Sequence, residues 1–110
     1  MSSGPVRSTH DLATIQDLVA RMLYRVYEDP SEYTVLRLDQ HDIREAVARL
    51  TSAHAQKTMP SSKSPGAMQD VYRIRYEGTP LYIKFDLSRD PRTREPRLAI
   101  ILSFKRDTSP

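Results

Sequence analysis

Residues 68–87, MQDVYRIRYEGTPLYIKFDL, decide the fold. Val71 to Tyr76 and Leu81 to Leu87 are β-branched and aromatic runs on either side of a short Gly/Pro segment, a pattern that predicts an antiparallel hairpin. With Glu77 to Pro80 as a four-residue loop, Tyr76 faces Leu81, Arg75 faces Tyr82, Ile74 faces Ile83 and Arg73 faces Lys84. The run RLAIILSFK (97–105) predicts a third strand. Side chains alternate across a strand, so Tyr72, Ile74, Tyr76, Leu81, Ile83, Phe85 and Leu87 share one face, in phase with Leu98, Ile100, Leu102 and Phe104. That face reads as core. Arg73, Arg75, Tyr82, Lys84, Asp86, Ser103 and Lys105 take the other, which is basic. Arg73 directly across from Lys84 is repulsive, and an anion between them, such as a phosphate chain, would relieve the repulsion. The ordinary alternative is a solvated sheet face.

Charge follows the same division. Residues 1–62 carry seven Lys/Arg against eight Asp/Glu, and residues 63–110 carry ten against six, so the net +3 belongs to the strand-rich half. That distribution favours an acidic partner such as RNA, DNA or an acidic protein. At 110 residues the chain suits one domain with one core, expected over residues 8–107 after a disordered start at 1–7. No apolar run approaches the roughly 20 residues of a membrane span, and MSSGPVRSTHD lacks the apolar core of a signal peptide, so no membrane association and a cytoplasmic location are expected. The absence of cysteine agrees with a reducing compartment and excludes disulfides and thiolate metal sites.

Upstream of the hairpin, Leu12, Ile15, Leu18 or Val19, Met22 and Val26 follow helical spacing. A helix is predicted from about Thr9 to Met22 or slightly beyond, with Ser8 and Asp11 as a capping box. Tyr24 and Tyr27 at its end could stack on bases, but aromatics there usually serve as core or staple residues. Asp29-Pro30 with Glu32 signals a short helix or turn. Asp39 or Asp42 then caps a helix whose Ile43, Ala46, Val47 and Leu50 share a face, ending near Thr51 to Ala55. MPSSKSPG (59–66) reads as an exposed loop, and Ser88 to Pro96, with Arg89, Arg92 and Arg94, as an extended hairpin loop beside the basic face.

His10, His41 and His54 are scattered without ligand spacing, so no metal site is expected, and each reads as a surface or helix-end residue. The chain has no Gly-rich phosphate loop and no G-x-S-x-G elbow. A helix-turn-helix is hard to place because the two predicted helices stand too far apart in sequence.

Four short motifs in order, Lys57-Thr58-Met59, Gln69-Asp70-Val71-Tyr72-Arg73, Leu81-Tyr82-Ile83-Lys84 and Leu102-Ser103-Phe104-Lys105, resemble the K-S-M, Q-D-V-Y-R, x-Y-x-K and S-F-K set of the MqsR family of toxin ribonucleases. The similarity covers nearly the whole chain. It implies a RelE-like α+β fold, N-terminal helices packed on one face of a C-terminal antiparallel sheet. It also implies cofactor-free cleavage of messenger RNA, and neutralisation by a cognate antitoxin with zinc-binding and helix-turn-helix parts. Direct DNA binding would then belong to the antitoxin. Matched motif to motif, the family's functional residues fall on Lys57, Gln69, Tyr82 and Lys105, with Arg73, Arg75 and Lys84 left as RNA-binding cations. Gln56 stands where the family commonly has an aromatic, and Leu87 to Arg97 replaces a tighter connection.

Overall fold

The computed structural model describes residues 9–61 and 67–108. The expected disordered start at 1–7, the Ser8 cap and residues 62–66 of the Ser/Pro/Gly loop lie outside the described residues. The architecture is α+β, a five-stranded mixed sheet with three α-helices among the described residues. In chain order the elements are α1 (Leu12–Ala20), β1 (Tyr24–Val26), α2 (Ser31–Thr34), α3 (Gln40–Ala48), β2 (Ala55–Pro60), β3 (Met68–Tyr76), β4 (Thr79–Arg89) and β5 (Pro96–Arg106). Strands lie in the order β1-β5-β4-β3-β2, with β1 parallel to β5 and every other pair antiparallel. Among the described residues, no helix is long and apolar enough to cross a membrane.

Two of these strands were not expected. Both are short edge strands whose conformation comes from the neighbour they pair with, a tertiary effect that local periodicity does not carry. The N-terminal helix therefore ends earlier than its spacing predicts. Met22 adopts φ +63°, Met22 N–H reaches Val19 O at 3.0 Å and Leu23 N–H reaches Leu18 O at 2.8 Å, a closure that stops the helix and turns the chain into β1. Asp11 is its N-cap, accepting from Thr14 N–H. The helix after Asp39 begins and packs as expected, since Asp39 and Asp42 exchange side-chain bonds to each other's backbone N–H and Ile43, Ala46, Val47 and Leu50 are buried, but it ends at Ala48, short of the predicted Thr51 to Ala55. Gln16 of α1 donates its amide to the carbonyls of Val47 and Leu50, which caps the end of α3 and joins the two helices.

The hairpin is tighter than predicted. Glu77 (φ +47°) and Gly78 (φ +80°) are both left-handed, the geometry of a two-residue type I′ connection, so Tyr76 faces Thr79 rather than Leu81. The register thus slides by two residues and every side chain keeps its face. Arg73 faces Tyr82, not Lys84, and Lys84 faces Val71. The repulsive pair that called for an anion does not form. On the core face, Ile15, Leu18, Val19, Tyr33, Ile43 and Val47 from the helices join Tyr72, Ile74, Leu81, Ile83, Phe85 and Phe104 from the sheet in one buried cluster. The β5 members of that face differ from expectation. Ala99 and Ile101 are fully buried, whereas Leu98, Ile100 and Leu102 are only half-buried.

The start of α3 is tied to β3 by the Tyr76 hydroxyl, which donates to Asp42 Oδ1 at 2.7 Å. That bond, with the Asp39 backbone, holds the Asp42 carboxyl below its ordinary range. Burial, then the same carboxylate, pushes the Tyr76 phenol up to about 12. A depressed carboxyl gives stability that is present above its unfolded value near 4 and lost as pH falls through the folded value. A raised phenol gives stability that is present below about 10 and lost as pH climbs toward 12. Tyr76→Phe should therefore lower the unfolding free energy by about 1 kcal/mol at pH 7 in a urea titration. The gap from wild type should narrow below about pH 4 as Asp42 protonates. A gap that stays constant from neutral to acid pH would contradict this coupling.

Candidate functional site

The face of the sheet opposite the core is shaped by two breaks in alternation. In β2, Ala55 faces Tyr72 of the core, yet Lys57, two residues on, faces Val71 because Gln56 is an extra residue at a register shift. Regular alternation would put Ala55 and Lys57 on the same side. In β5, Ile101 faces Phe85 and Ser103 faces Lys84, so Leu102 is the extra residue. Past it, Phe104 enters the core and Lys105 faces Tyr82 on the open side. Bulges of this kind re-aim side chains. Here each one moves a lysine from the core side to the open face. The same extra residue explains why Leu98 and Ile100 miss the core, which an unbroken alternation along the third strand would assign to them.

The open face consequently holds two adjoining rows. One crosses the strands as Lys57, Val71, Lys84 and Ser103, the next as Arg73, Tyr82 and Lys105. Lys105 Nζ lies 5.6 Å from the centre of the Tyr82 ring, close enough for a cation–π contact. A recess of about 180 Å³ opens beside that pair. Arg73 is drawn toward the chain end, with its Nε 3.5 Å from Asp107. Arg75 sits at the hairpin tip, donating to Gly78 O, so it serves the turn and stands apart from the rows. Lys57 and Lys105 are three strand spacings and one row apart, roughly 16 Å at the backbone, with Lys84 between them. Gln69, paired with Met59 and diagonal to Lys57 across β2 and β3, is 9% exposed and lies one step further along the same face.

The segment entering α1 fastens this region from behind. Asp70, 2% exposed, accepts the backbone N–H groups of Thr9 at 2.8 Å and His10 at 2.7 Å. The Thr9 and Thr58 hydroxyls are hydrogen-bonded at 2.7 Å, and Thr58 donates to Gln69 O. His10, read as a surface or helix-end residue, stands at the entry to α1 and is not at the surface. Its ring contacts Met68 O at 3.0 Å and Asp86 Oδ1 at 3.3 Å, and its side chain is 11% exposed. It sits where β3 and β4 part, since their pairing stops at Asp70 and Phe85. Nothing in the local sequence signals this, because the contacts span some sixty residues. Thr58 and Asp70 are immediate neighbours of Lys57 and Gln69, so the clamp sets the position of both.

Three further expectations change. Lys57 lies in β2, a strand that the local sequence does not predict. Tyr27 is 62% exposed beside β5, outside the core, with its N–H on Ile101 O. The arginine segment is a compact turn over residues 90–95: Asp90 accepts from Arg92 and Thr93 N–H, and Arg89 donates to Arg94 O. It lies at the opposite end of β4 from Tyr82, about 23 Å away at strand rise. Among the described residues no group of three or more His, Asp or Glu is placed to hold a metal ion.

A family model described as "Motility quorum-sensing regulator, toxin of MqsA" matches residues 7–106. No curated protein matches the chain.

Replacing Asp70 by Asn retains one acceptor and sets an NH2 against the second backbone N–H. The substitution should cost about 2 kcal/mol in urea unfolding, the scale of a buried charge-assisted hydrogen bond. It should also speed amide exchange at Thr9 and His10. Unchanged stability and exchange would show that the clamp holds nothing.

Proposed function

We propose that this chain, which belongs to the MqsR toxin family and so is the toxin of a toxin–antitoxin pair, is a metal-independent endoribonuclease that cleaves single-stranded messenger RNA on the open face of its sheet. In this reading the fold is of the RelE-like kind, and the antitoxin, with its zinc-binding and helix-turn-helix parts, neutralises the toxin and supplies the DNA binding. The observation that carries the reading is the pair of bulges. Two strands depart from regular alternation, and each departure moves a lysine of the family's motif set, Lys57 or Lys105, to the side that bears Tyr82 and Lys84.

RNA supplies its own nucleophile. Cleavage requires that the 2′-hydroxyl lose a proton, that charge on the pentacoordinate phosphorus be stabilised, and that the departing 5′-oxygen gain a proton. The Tyr82–Lys105 pair offers a hydroxyl and an ammonium to one phosphate. Lys84, two residues along β4 from Tyr82, and Arg73, across from Tyr82 on β3, flank it and neutralise its charge. Lys57 approaches from the far side of Lys84, and Gln69 beside it orients the next nucleotide by hydrogen bonds. Lys57 and Lys105 thus bracket the reacting phosphate as base and acid. Arg75, engaged at the hairpin tip, is left as a peripheral phosphate contact.

Purified protein mixed with a long unstructured RNA in EDTA should yield discrete fragments ending in 2′,3′-cyclic phosphate. Lys57→Ala, Lys105→Ala and Tyr82→Phe should each slow cleavage by about 100-fold or more while remaining folded. Expression of the wild type alone should arrest growth, and the lysine variants should relieve the arrest. RNA that is shifted but never cut would make the face a binding surface without chemistry, and full activity in the folded variants would refute the assigned site.

The arginine turn lies outside the reacting rows and is read as a sequence-independent phosphate contact. Replacing Arg92 and Arg94 by Ser should weaken RNA affinity and flatten its dependence on salt, with the cut positions unchanged. New cut positions would mean that the turn reads bases.

A further inference from the structure

Beside the lysine rows the open face contains a second feature that phosphate chemistry does not use. A cavity of about 350 Å³ is lined by Tyr27, Ser61, Gln69, Asp86, Ile100 and Leu102, among others. That volume is at the lower end for small-molecule sites, which span roughly 300–1,000 Å³. Ile100 and Leu102 are the apolar residues that the β5 register leaves out of the core, and they stand half-buried on this side. Tyr27 offers an exposed aromatic ring next to them. Two polar groups in its wall keep free hydrogen-bonding capacity. Asp86 Oδ1 accepts the Leu87 N–H at 2.7 Å and faces His10, whereas Oδ2 has no partner among the described residues. The Gln69 side-chain amide, nearly buried, likewise makes no hydrogen bond among the described residues. Asp86, whose side chain is 27% exposed, and the Gln69 amide thus offer hydrogen-bonding capacity to a ligand entering the cavity.

We propose that this cavity is a base-reading subsite that takes one unstacked nucleobase bearing an exocyclic amino group, next to the phosphate held by the lysine rows. The proposal rests on the ribonuclease reading above and names what that site selects. A carboxylate in the wall repels phosphate and accepts from an N–H. An aromatic ring over an apolar floor suits a flat heterocycle, the usual way proteins hold single-stranded RNA bases. Adenine, cytosine and guanine each carry an amino group. Uracil presents carbonyl oxygens flanking its one N–H, and these face Asp86 Oδ2 unfavourably. Gln69, at the junction of rows and cavity, aligns the base with the scissile phosphate.

The test exchanges one atom. Asp86→Asn retains Oδ1 for Leu87 N–H and converts Oδ2 from an acceptor into a donor. An RNA pool randomised around the cut should show, with wild type, uracil depleted at a single position fixed relative to the cleaved bond. The variant should shift the preference at that position toward uracil by about tenfold, the scale of a few kcal/mol or less for a single base contact, and leave the other positions alone. Independently, titrating the ¹⁵N-labelled full chain with 5′-CMP should move the amide signals of Gln69, Asp86, Ile100 and Leu102, and 5′-UMP should move them far less. Cleavage with no uracil discrimination, an unaltered pattern in the variant, and equal or absent responses to the two nucleotides would overturn the subsite and leave the ribonuclease reading intact. A selective CMP response from a wild type that cuts no RNA would support the subsite and overturn that reading.

Discussion

The constraint on which this molecule turns is the strict two-residue alternation of a β-strand and the two places where it is broken. A sheet that buries one face assigns every residue to a side, and a slip of one residue would drive lysines into the core and phenylalanine into water. The extra residues Gln56 and Leu102 exploit that rule locally. Each lets a strand satisfy the core with one residue (Ala55 or Ile101) and then present a lysine two or four residues later on the other side. Phe104 and Lys105 take opposite sides by ordinary alternation, and the bulge at Leu102 decides that phenylalanine, not lysine, enters the core. The packing of the core and the composition of the site are set by the same bulges.

Much of this was legible. The hairpin, its two faces, the Asp39 cap and the core stripe of α3 follow from residue type and spacing. The two-residue slip in the hairpin left faces unchanged, because two is the period of the strand. Tyr82 and Lys84 were therefore correctly placed beside Lys105. What stayed hidden has a common physical origin. A bulge is one residue long and has no composition of its own, so the third strand read as continuous and Ile100 was assigned to the core in place of Ile101. β1 and β2 take their form from β5 and β3, and the Asp70 clamp joins residues sixty positions apart. A four-residue turn would set Arg73 against Lys84, whereas the two-residue turn at Glu77 and Gly78 sets it against Tyr82.

The clamp also gives the face its rigidity. β2 is an edge strand, paired only through β3, and edge strands fray. Lys57 and Gln69 are on this outer pair, and Thr9 and His10 hold it through Thr58, Asp70 and Met68. A site built on such strands needs that support to keep its side chains within a fraction of an ångström of a productive arrangement.

Three of the chain's four lysines, Lys57, Lys84 and Lys105, lie on the open face, and that makes the central claim directly measurable. The protein is acetylated in the presence and absence of a single-stranded RNA made uncleavable by 2′-O-methylation, and each lysine is followed by mass spectrometry. If RNA lies across the open face, Lys57, Lys84 and Lys105 are all protected in the complex. Equal labelling of these three with and without bound RNA would contradict the account.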